Sequence, residues 1–363
     1  MKKLQLAIML LASSQLALAQ DYPTVEFGGR VQADATYFDN DKYAYSDGSE
    51  LRRGRVYWRG NVSEDWDYRA QFEFAGDEPT VKDAYLRYRG IEGSMISIGH
   101  YRPFTGLEIL TSSNNATFNE RAMVNAFQGD RRMGLGYSKW TDRYTFQSAV
   151  FTNEANNAVR GEGFNARFSY RPELAGEQFL HLGASWTRET DDDDSVRFRA
   201  RPESHQDSHR IINTGSINDV DTLSKLGLEA AYVSGPFSAQ AEYIQQQVNR
   251  QNGAADLSFD GYYAYISYFL TADSRPYSNT SAAFGTVSPA SDKGAWEIAA
   301  RISNLDLTDS LVAGGQADIF TLGVNYYMTR DIRFTANYMM ADSDSVAGDD
   351  DPNTLSLRVR ITW

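Results

Sequence analysis

The chain has 363 residues, with 35 Lys and Arg against 48 Asp and Glu and no cysteine. Hydrophobic residues make up 42% and aromatic residues 13%, which excludes collagen-like and intrinsically disordered classes. The absence of cysteine excludes disulfide scaffolds, thiol catalysis and cysteine-based metal sites. The net charge of −13 argues against nucleic acid as the main partner.

The N-terminus has the pattern of an export signal. Residues 1–3 are basic at Lys2 and Lys3, residues 4–11 form a short apolar run, and residues 17–19 fit the small-x-small cleavage pattern. These features predict a secretory signal peptide over residues 1–19, cut before Gln20, with a buried N-terminal helix as the alternative. Beyond it, no stretch reaches the ~18 apolar residues that a membrane-spanning helix needs. We therefore expect one exported domain over residues 20–363.

From Val25 onward the sequence alternates apolar and polar residues with period two, which indicates half-buried strands. In the last segment, for example, Leu357, Val359 and Ile361 alternate with Arg358 and Arg360. Sixteen such segments are predicted: 25–38, 52–62, 66–74, 81–88, 94–101, 133–139, 144–151, 163–170, 179–187, 223–233, 237–248, 259–269, 295–305, 318–328, 332–341 and 354–363.

The links between these segments alternate in length along the chain. Three-residue turns such as 63–65 and 141–143 alternate with long polar links such as 102–132 and 188–222, and only the long link 271–294 falls where a short turn is due. Most segments have 8–12 residues, long enough to cross a bilayer when tilted. The sequence therefore predicts an all-β fold, a transmembrane antiparallel β-barrel of about 16 strands in the outer membrane of a Gram-negative bacterium. A soluble β-sandwich, propeller or lectin is the alternative.

The alternation also predicts which charged side chains face the lumen. An arginine at the hydrocarbon midplane costs roughly 2–4 kcal/mol, so arginines must lie on the inner face. This places the following residues inside: Arg30, Arg53, Arg55, Arg59, Arg69, Arg87, Arg301, Arg333, Arg358 and Arg360. The first and last strands adjoin in a closed barrel, so we expect one basic wall. Glu73, Glu242 and Glu297 also face inward, so the lumen is not uniformly positive.

Two long links carry further candidates. We expect the link 102–132 to fold into the lumen and narrow it, with a helical turn within 119–127. The link 188–222 carries the basic residues Arg197, Arg199, Arg201 and Arg210. They form either an exposed surface loop or an arginine track that leads anions into the mouth, because guanidinium groups match phosphate oxygens and keep their charge.

Motifs for catalysis are absent or weak. His205 and His209 have the i, i+4 spacing of a metal-binding helix, but Pro202 and polar neighbours make that helix a poor interpretation. We predict no catalytic residue, no metal site and no cofactor. An outer-membrane lipase or protease barrel remains the enzyme alternative.

Several short blocks, taken together, resemble one family. They are Phe27 to Asp34, the Arg52-Arg53 pair, Lys82 to Tyr85, Gly106 to Glu108 followed by Thr111 to Ser113, Gly235 to Tyr243, Gly294 to Glu297, and Thr321 to Asn325. Their order and spread over the chain are similar to the phosphate-selective porin O and P family. The resemblance implies a sixteen-stranded barrel, a homotrimer and passive uptake of phosphate or other small anions.

The resemblance also implies roles for individual residues. The residues at the pore constriction would be Arg30, Arg52, Arg53, Ser112 and Ser113. The arginine ladder would be Arg197, Arg199, Arg201 and Arg210, on a loop folded inward. Strongly phosphate-selective members carry constriction lysines, whereas Ile109 follows Glu108 here, so phosphate, pyrophosphate or polyphosphate, and other small anions all stay open. The expected partners are these anions, outer-membrane lipid and lipopolysaccharide, and no nucleic acid. A general or sugar-type diffusion porin without phosphate preference is the functional alternative.

Overall fold

The computed structural model describes residues 22–155, 161–176, 178–190, 192–345 and 348–363. The predicted signal peptide lies outside the described residues. Sixteen strands form one closed barrel in chain order. The strands are β1 Glu26–Asp39, β2 Gly48–Asn61, β3 Trp66–Glu73, β4 Thr80–Tyr88, β5 Ser94–Tyr101, β6 Arg132–Trp140, β7 Tyr144–Phe151, β8 Gly163–Tyr170, β9 Gln178–Thr190, β10 Val220–Ser234, β11 Phe237–Arg250, β12 Leu257–Phe269, β13 Ala295–Asp309, β14 Val312–Tyr327, β15 Ile332–Asp344 and β16 Asn353–Thr362.

Every neighbouring pair is antiparallel, and β1 closes the barrel on β16 from Arg30 opposite Thr362 to Asp39 opposite Asn353. Burial is the reverse of that in a water-soluble protein. The largest fully buried side chains include five arginines, whereas Ile302, Leu322 and Leu357 are among the exposed apolar ones. An apolar outer face and a polar interior are what a lipid-facing barrel requires. The all-β prediction is therefore confirmed, and all sixteen predicted segments overlap barrel strands.

Three links fold into the barrel. The inward loop, residues 102–131, carries the four-residue helix α1 Leu107–Leu110 and a 3-10 helix over Met123–Phe127. The ladder hairpin, residues 195–218, pairs Ser195–Val196 with Ile217–Asn218 and Arg199–Ala200 with Ile212–Asn213. No helix among the described residues is long and apolar enough to cross a membrane.

The third link occupies the lumen from the opposite end. We call residues 271–294 the plug; it contains a small hairpin of Tyr277–Ser278 with Ala283–Phe284. Its backbone is held by wall side chains, since Thr145 donates to the Asn279 carbonyl at 2.8 Å and Arg167 donates to the Ala282 carbonyl at 2.8 Å. The link that broke the predicted alternation of lengths is thus an internal element.

The interior divides into two unlike parts. Strands β10 to β15, the filled half, turn apolar side chains inward near their outer ends. One apolar cluster joins these side chains to the inward loop and the ladder hairpin; it includes Phe127, Phe198, Val248, Phe259, Leu305, Ile319 and Met339. Strands β1 to β4, the open half, border the remaining space, and Arg30, Arg53, Arg55 and Arg69 point into it. This space therefore runs along the open half, between the wall and the inward loop.

Candidate functional site

Two cavities lie in this space. The eyelet, about 240 Å³, is bounded by the wall of β1 to β4 and by the inward loop. Its arginines are Arg30, Arg53, Arg55, Arg69, Arg102, Arg121 and Arg131, and Asp83 is the one acidic residue in its lining. The entrance chamber, about 310 Å³, lies between the inward loop and the ladder hairpin, and Arg121 lines both cavities.

Arg30 and Arg53 carry charge that no ion pair among the described residues neutralises. Arg30 donates from Nη1 to the Ser112 hydroxyl at 3.3 Å. Within the described part of the chain, neither guanidinium forms a salt bridge, and the Nε atoms of both lack a hydrogen-bond partner although they are buried. A buried donor without an acceptor is costly, so both groups are suited to receive an anion.

A bulge explains how consecutive arginines reach the lumen. In the pairing of β1 with β2, Gln32 lies opposite Arg53 and Ala33 lies opposite Leu51, so Arg52 is the extra residue. A bulge re-aims side chains that strict alternation would send to opposite faces. Arg52 consequently pairs with Glu120 of the inward loop through two contacts of 2.8 Å.

Glu120 in turn contacts Arg358 at 2.7 Å. Burial by itself would raise the pKa of Glu120, but Arg52 and Arg358 hold the pKa well below its usual range. Glu120 is therefore ionised at neutral pH, and Arg52 is largely neutralised while Arg53 is not.

Four of the five other eyelet arginines, all except Arg121, have carboxylate partners among the described residues. Arg55 contacts Glu73 at 2.6 Å, and Arg131 contacts Asp83 at 2.6 Å. A similar pair joins Arg102 to Asp130 at 2.7 Å in the inward loop. These pairs fix the wall geometry and leave Arg30, Arg53 and Arg121 without a salt bridge within the described residues, in a lining that Ser112 and Ser113 share. The Ser113 hydroxyl is likewise buried without a partner among the described residues.

Arg121 is a site residue that sequence reasoning missed, together with Arg102 and Arg131. Its guanidinium donates to the carbonyls of Glu108 at 3.1 Å and Thr111 at 3.0 Å, at the C-terminal end of α1. Alternation assigns directions only within strands, so it gave no orientation for loop arginines. The charge of these residues inside an inward-folding loop was the available signal.

Arg358 and Arg360 face inward but lie beneath the inward loop. Arg358 binds Asp34 at 2.6 Å and the Asn119 carbonyl, and Arg360 donates to the Asn114 carbonyl. Each is about 1–2% exposed, so both hold the loop against the wall and do not line the eyelet. Arg59 lies near the opposite end of β2, beside Glu26, and is also absent from the eyelet lining.

Three of the ladder arginines, Arg197, Arg199 and Arg201, alternate with residues that pack inward. Phe198, between Arg197 and Arg199, makes edge contacts with Phe127 at 5.2 Å and Phe259 at 5.8 Å between ring centroids. These arginines therefore project from the other side of the hairpin, and three of the four ladder arginines, Arg199, Arg201 and Arg210, line the entrance chamber. Arg197 instead donates to Asn213 at 2.8 Å. In the described ranges, none of the four forms a salt bridge. Burial and the three neighbouring arginines lower the pKa of Arg210 to about 10, so it stays charged at neutral pH.

The sequence of this chain is similar to those of known proteins. The family model of "Phosphate-selective porin O and P" matches residues 25–363. Porin O of Pseudomonas aeruginosa is 28% identical over 93% of this chain and 88% of its own length. An uncharacterized protein of Caulobacter vibrioides is 30% identical over 86% of this chain and 68% of its own length.

Solved structures show a similar fold at low identity. OmpT of Vibrio cholerae in its trimer form has a TM-score of 0.59 at 15% identity, covering 94% of this chain and 99% of that chain. An anion-selective porin from Comamonas acidovorans has a TM-score of 0.58 at 12% identity, with the same coverage. With a closed β-barrel, an apolar outer face and a family match over nearly its whole length, the chain belongs to the phosphate-selective porin O and P family and is a porin of the outer membrane.

Proposed function

We propose that this porin is an anion-selective channel for passive diffusion of phosphate, pyrophosphate or polyphosphate, or other small oxyanions. The observation that carries the proposal is the pair Arg30 and Arg53, two guanidiniums at the eyelet without ion-pair partners among the described residues. Beside them lie Ser112 and Ser113, whose hydroxyls can donate to the same oxyanion. The ladder arginines supply positive charge from the outer mouth toward this point.

Charge placement favours weak, repeated binding. Each charge-assisted hydrogen bond to an oxyanion is stronger than a neutral one. Conduction requires that no single site holds the ion too firmly, and several sites in series satisfy this condition. The carboxylates Glu73, Asp83 and Asp130 reduce the positive potential by pairing with neighbouring arginines. The path is thus basic but contains no single site that binds an anion very tightly.

The proposal is tested by reversal potential in a planar bilayer with a KCl gradient, followed by addition of phosphate. We expect chloride to be favoured over potassium and phosphate to block the chloride current. A potential that favours potassium would overturn the proposal. Equal permeability without phosphate block would support the general or sugar-type diffusion porin.

We also propose that the assembly is a homotrimer. The support is the family and the trimer form named for a structure of similar fold. Light scattering of the detergent-solubilised protein, corrected for bound detergent, should give three times the chain mass. A monomer mass would overturn this proposal.

A further inference from the structure

The eyelet combines two kinds of lining. The wall contributes Arg30 and Arg53, and the inward loop contributes further arginines together with the hydroxyls of Ser112 and Ser113. Among these polar groups, Ile109 and Leu110 of the inward loop also line the cavity. These two side chains are the aliphatic part of a lining that otherwise offers mainly charged donors and hydroxyls.

The aliphatic part is held firmly in place. The backbone N–H groups of Leu107 and Glu108 donate to the Glu242 carboxylate at 2.6 and 2.8 Å. Arg121 holds the carbonyls at the other end of α1, including that of Ile109 at 3.4 Å. Both ends of this single turn are thus anchored, so Ile109 and Leu110 form a preorganised surface rather than a mobile one.

The entrance chamber likewise combines basic and apolar side chains. Its lining includes Arg52, Arg199 and Arg210, and the inward loop adds Ala122 and Met123 beside the polar Glu120 and Arg121. An anion in the chamber therefore meets apolar side chains among the basic ones, as it does in the eyelet.

Inorganic phosphate does not match such a lining completely. All four of its oxygens need hydrogen-bond partners, and an oxygen turned toward Ile109 and Leu110 would lose its water without receiving a donor. A tetrahedral oxyanion with one small alkyl substituent matches better, because three oxygens meet the arginines and hydroxyls while the substituent contacts the aliphatic part.

We propose that the eyelet prefers tetrahedral organic oxyanions with a small apolar substituent, such as alkylphosphonates or alkyl phosphomonoesters, over inorganic phosphate. This rests on the proposed function, since it assumes that the eyelet binds oxyanions. It specifies which oxyanions bind most tightly, and it assigns Ile109 and Leu110 as the residues that determine this specificity.

The test is block of chloride current in a planar bilayer by three probes: inorganic phosphate, methylphosphonate and propylphosphonate. The pH is set so that all three are dianions, and half-blocking concentrations are compared. Transfer of one methylene group from water favours binding by about fourfold at most. We expect propylphosphonate to block at a lower concentration than methylphosphonate, and methylphosphonate at a lower concentration than phosphate.

The variant Ile109→Ser should bring the half-blocking concentrations of phosphate and propylphosphonate close together. Ile109→Val should preserve the wild-type order, which guards against a folding defect in the serine variant. The matched control is Ile91→Ser, at an exposed residue in a short turn between β4 and β5.

Three results would overturn the inference. If phosphate blocks as well as both alkylphosphonates in the wild type, the preference is absent although the proposed function stands. If Ile91→Ser changes the order as much as Ile109→Ser, the aliphatic part of the eyelet is not its source. If the pore favours potassium and none of the probes blocks it, the proposed function fails as well.

Discussion

The open half and the filled half of this barrel use the same strand architecture for opposite purposes. In the open half, the inward positions of β1 and β2 carry Arg30, Arg53 and Arg55. In the filled half, inward positions near the outer strand ends carry apolar residues such as Leu305 and Ile319, both about 1% exposed or less. The first set leaves space lined by charge, and the second packs against the inward loop and the ladder hairpin.

This difference separates two tasks that a pore must perform. The filled half fixes the position of the loops by burial of apolar surface and by ion pairs away from water. The open half then faces loops whose shape is already determined, and it can keep uncompensated charge. Because the filled half holds the loops rigidly, the open half can keep guanidinium groups that lack ion-pair partners.

The largest effect is expected when an ion pair that holds the loops in the filled half is removed. Arg301 on β13 contacts Glu203 of the ladder hairpin and lies 3.6 Å from Glu108 of the inward loop. Arg301→Ala leaves both carboxylates without this partner, and loss of one partner of a buried pair costs about 3–5 kcal/mol. We expect a lower unfolding temperature, a higher single-channel conductance and weaker anion selectivity.

The control for this change is Arg143→Ala, in a short turn between β6 and β7, where Arg143 and its partner Glu173 are exposed. It should leave conductance and unfolding unaltered. Wild-type conductance in Arg301→Ala would show that apolar packing alone positions the loops.

The second test removes charge from the open half. Arg53→Ala should weaken phosphate block of the chloride current by about 1–3 kcal/mol, the worth of one charged hydrogen-bond partner. Since Arg53 makes no salt bridge in the part of the chain that the structure describes, its removal should not lower the unfolding temperature. The two readouts are half-blocking concentration and thermal unfolding. An Arg53→Ala variant that unfolds at a lower temperature but keeps wild-type phosphate block would contradict the assignment of Arg53 as an anion-binding residue.

A smaller effect is expected at the mouth. Arg199→Ala removes one exposed ladder charge, which attracts anions over a distance without holding them. The loss of chloride conductance should be several-fold smaller than the loss caused by a change in the eyelet. It should occur only at low salt, because the screening length is about 3 Å at 1 M salt. Conductance as a function of KCl concentration measures this, and a loss that persists at high salt would contradict it.

The smallest effect is expected at Arg59, beside Glu26 near the far end of β2 and half exposed. Exposed pairs contribute about 0–1 kcal/mol. Arg59→Gln should leave phosphate block unchanged and stability nearly so, as judged by the same bilayer and unfolding measurements. A loss of block comparable to that of Arg53→Ala would extend the binding site well below the eyelet.

Strand number and strand position could be predicted from sequence because the bilayer imposes a strict rule. A charged residue in hydrocarbon is costly, so period-two alternation recurs in strand after strand, and links such as 63–65 and 141–143 separate the strands cleanly. The inward direction of Arg30, Arg53 and Arg55 follows from the same rule. The match of blocks such as Phe27 to Asp34 to a family then pointed to Arg52 and Ser112.

Other features depended on contacts between residues far apart in sequence. The sequence determined a sixteen-stranded barrel with a basic inner wall, because alternation is a local property. Only the tertiary structure decided which arginines stay uncompensated. Arg52 pairs with Glu120, a loop residue, and Arg358 pairs with both Glu120 and Asp34, whereas none of the described residues forms a salt bridge with Arg53. Alternation likewise gave no direction for Arg121, because loop orientation is set by packing and ion pairing across the lumen rather than by local period.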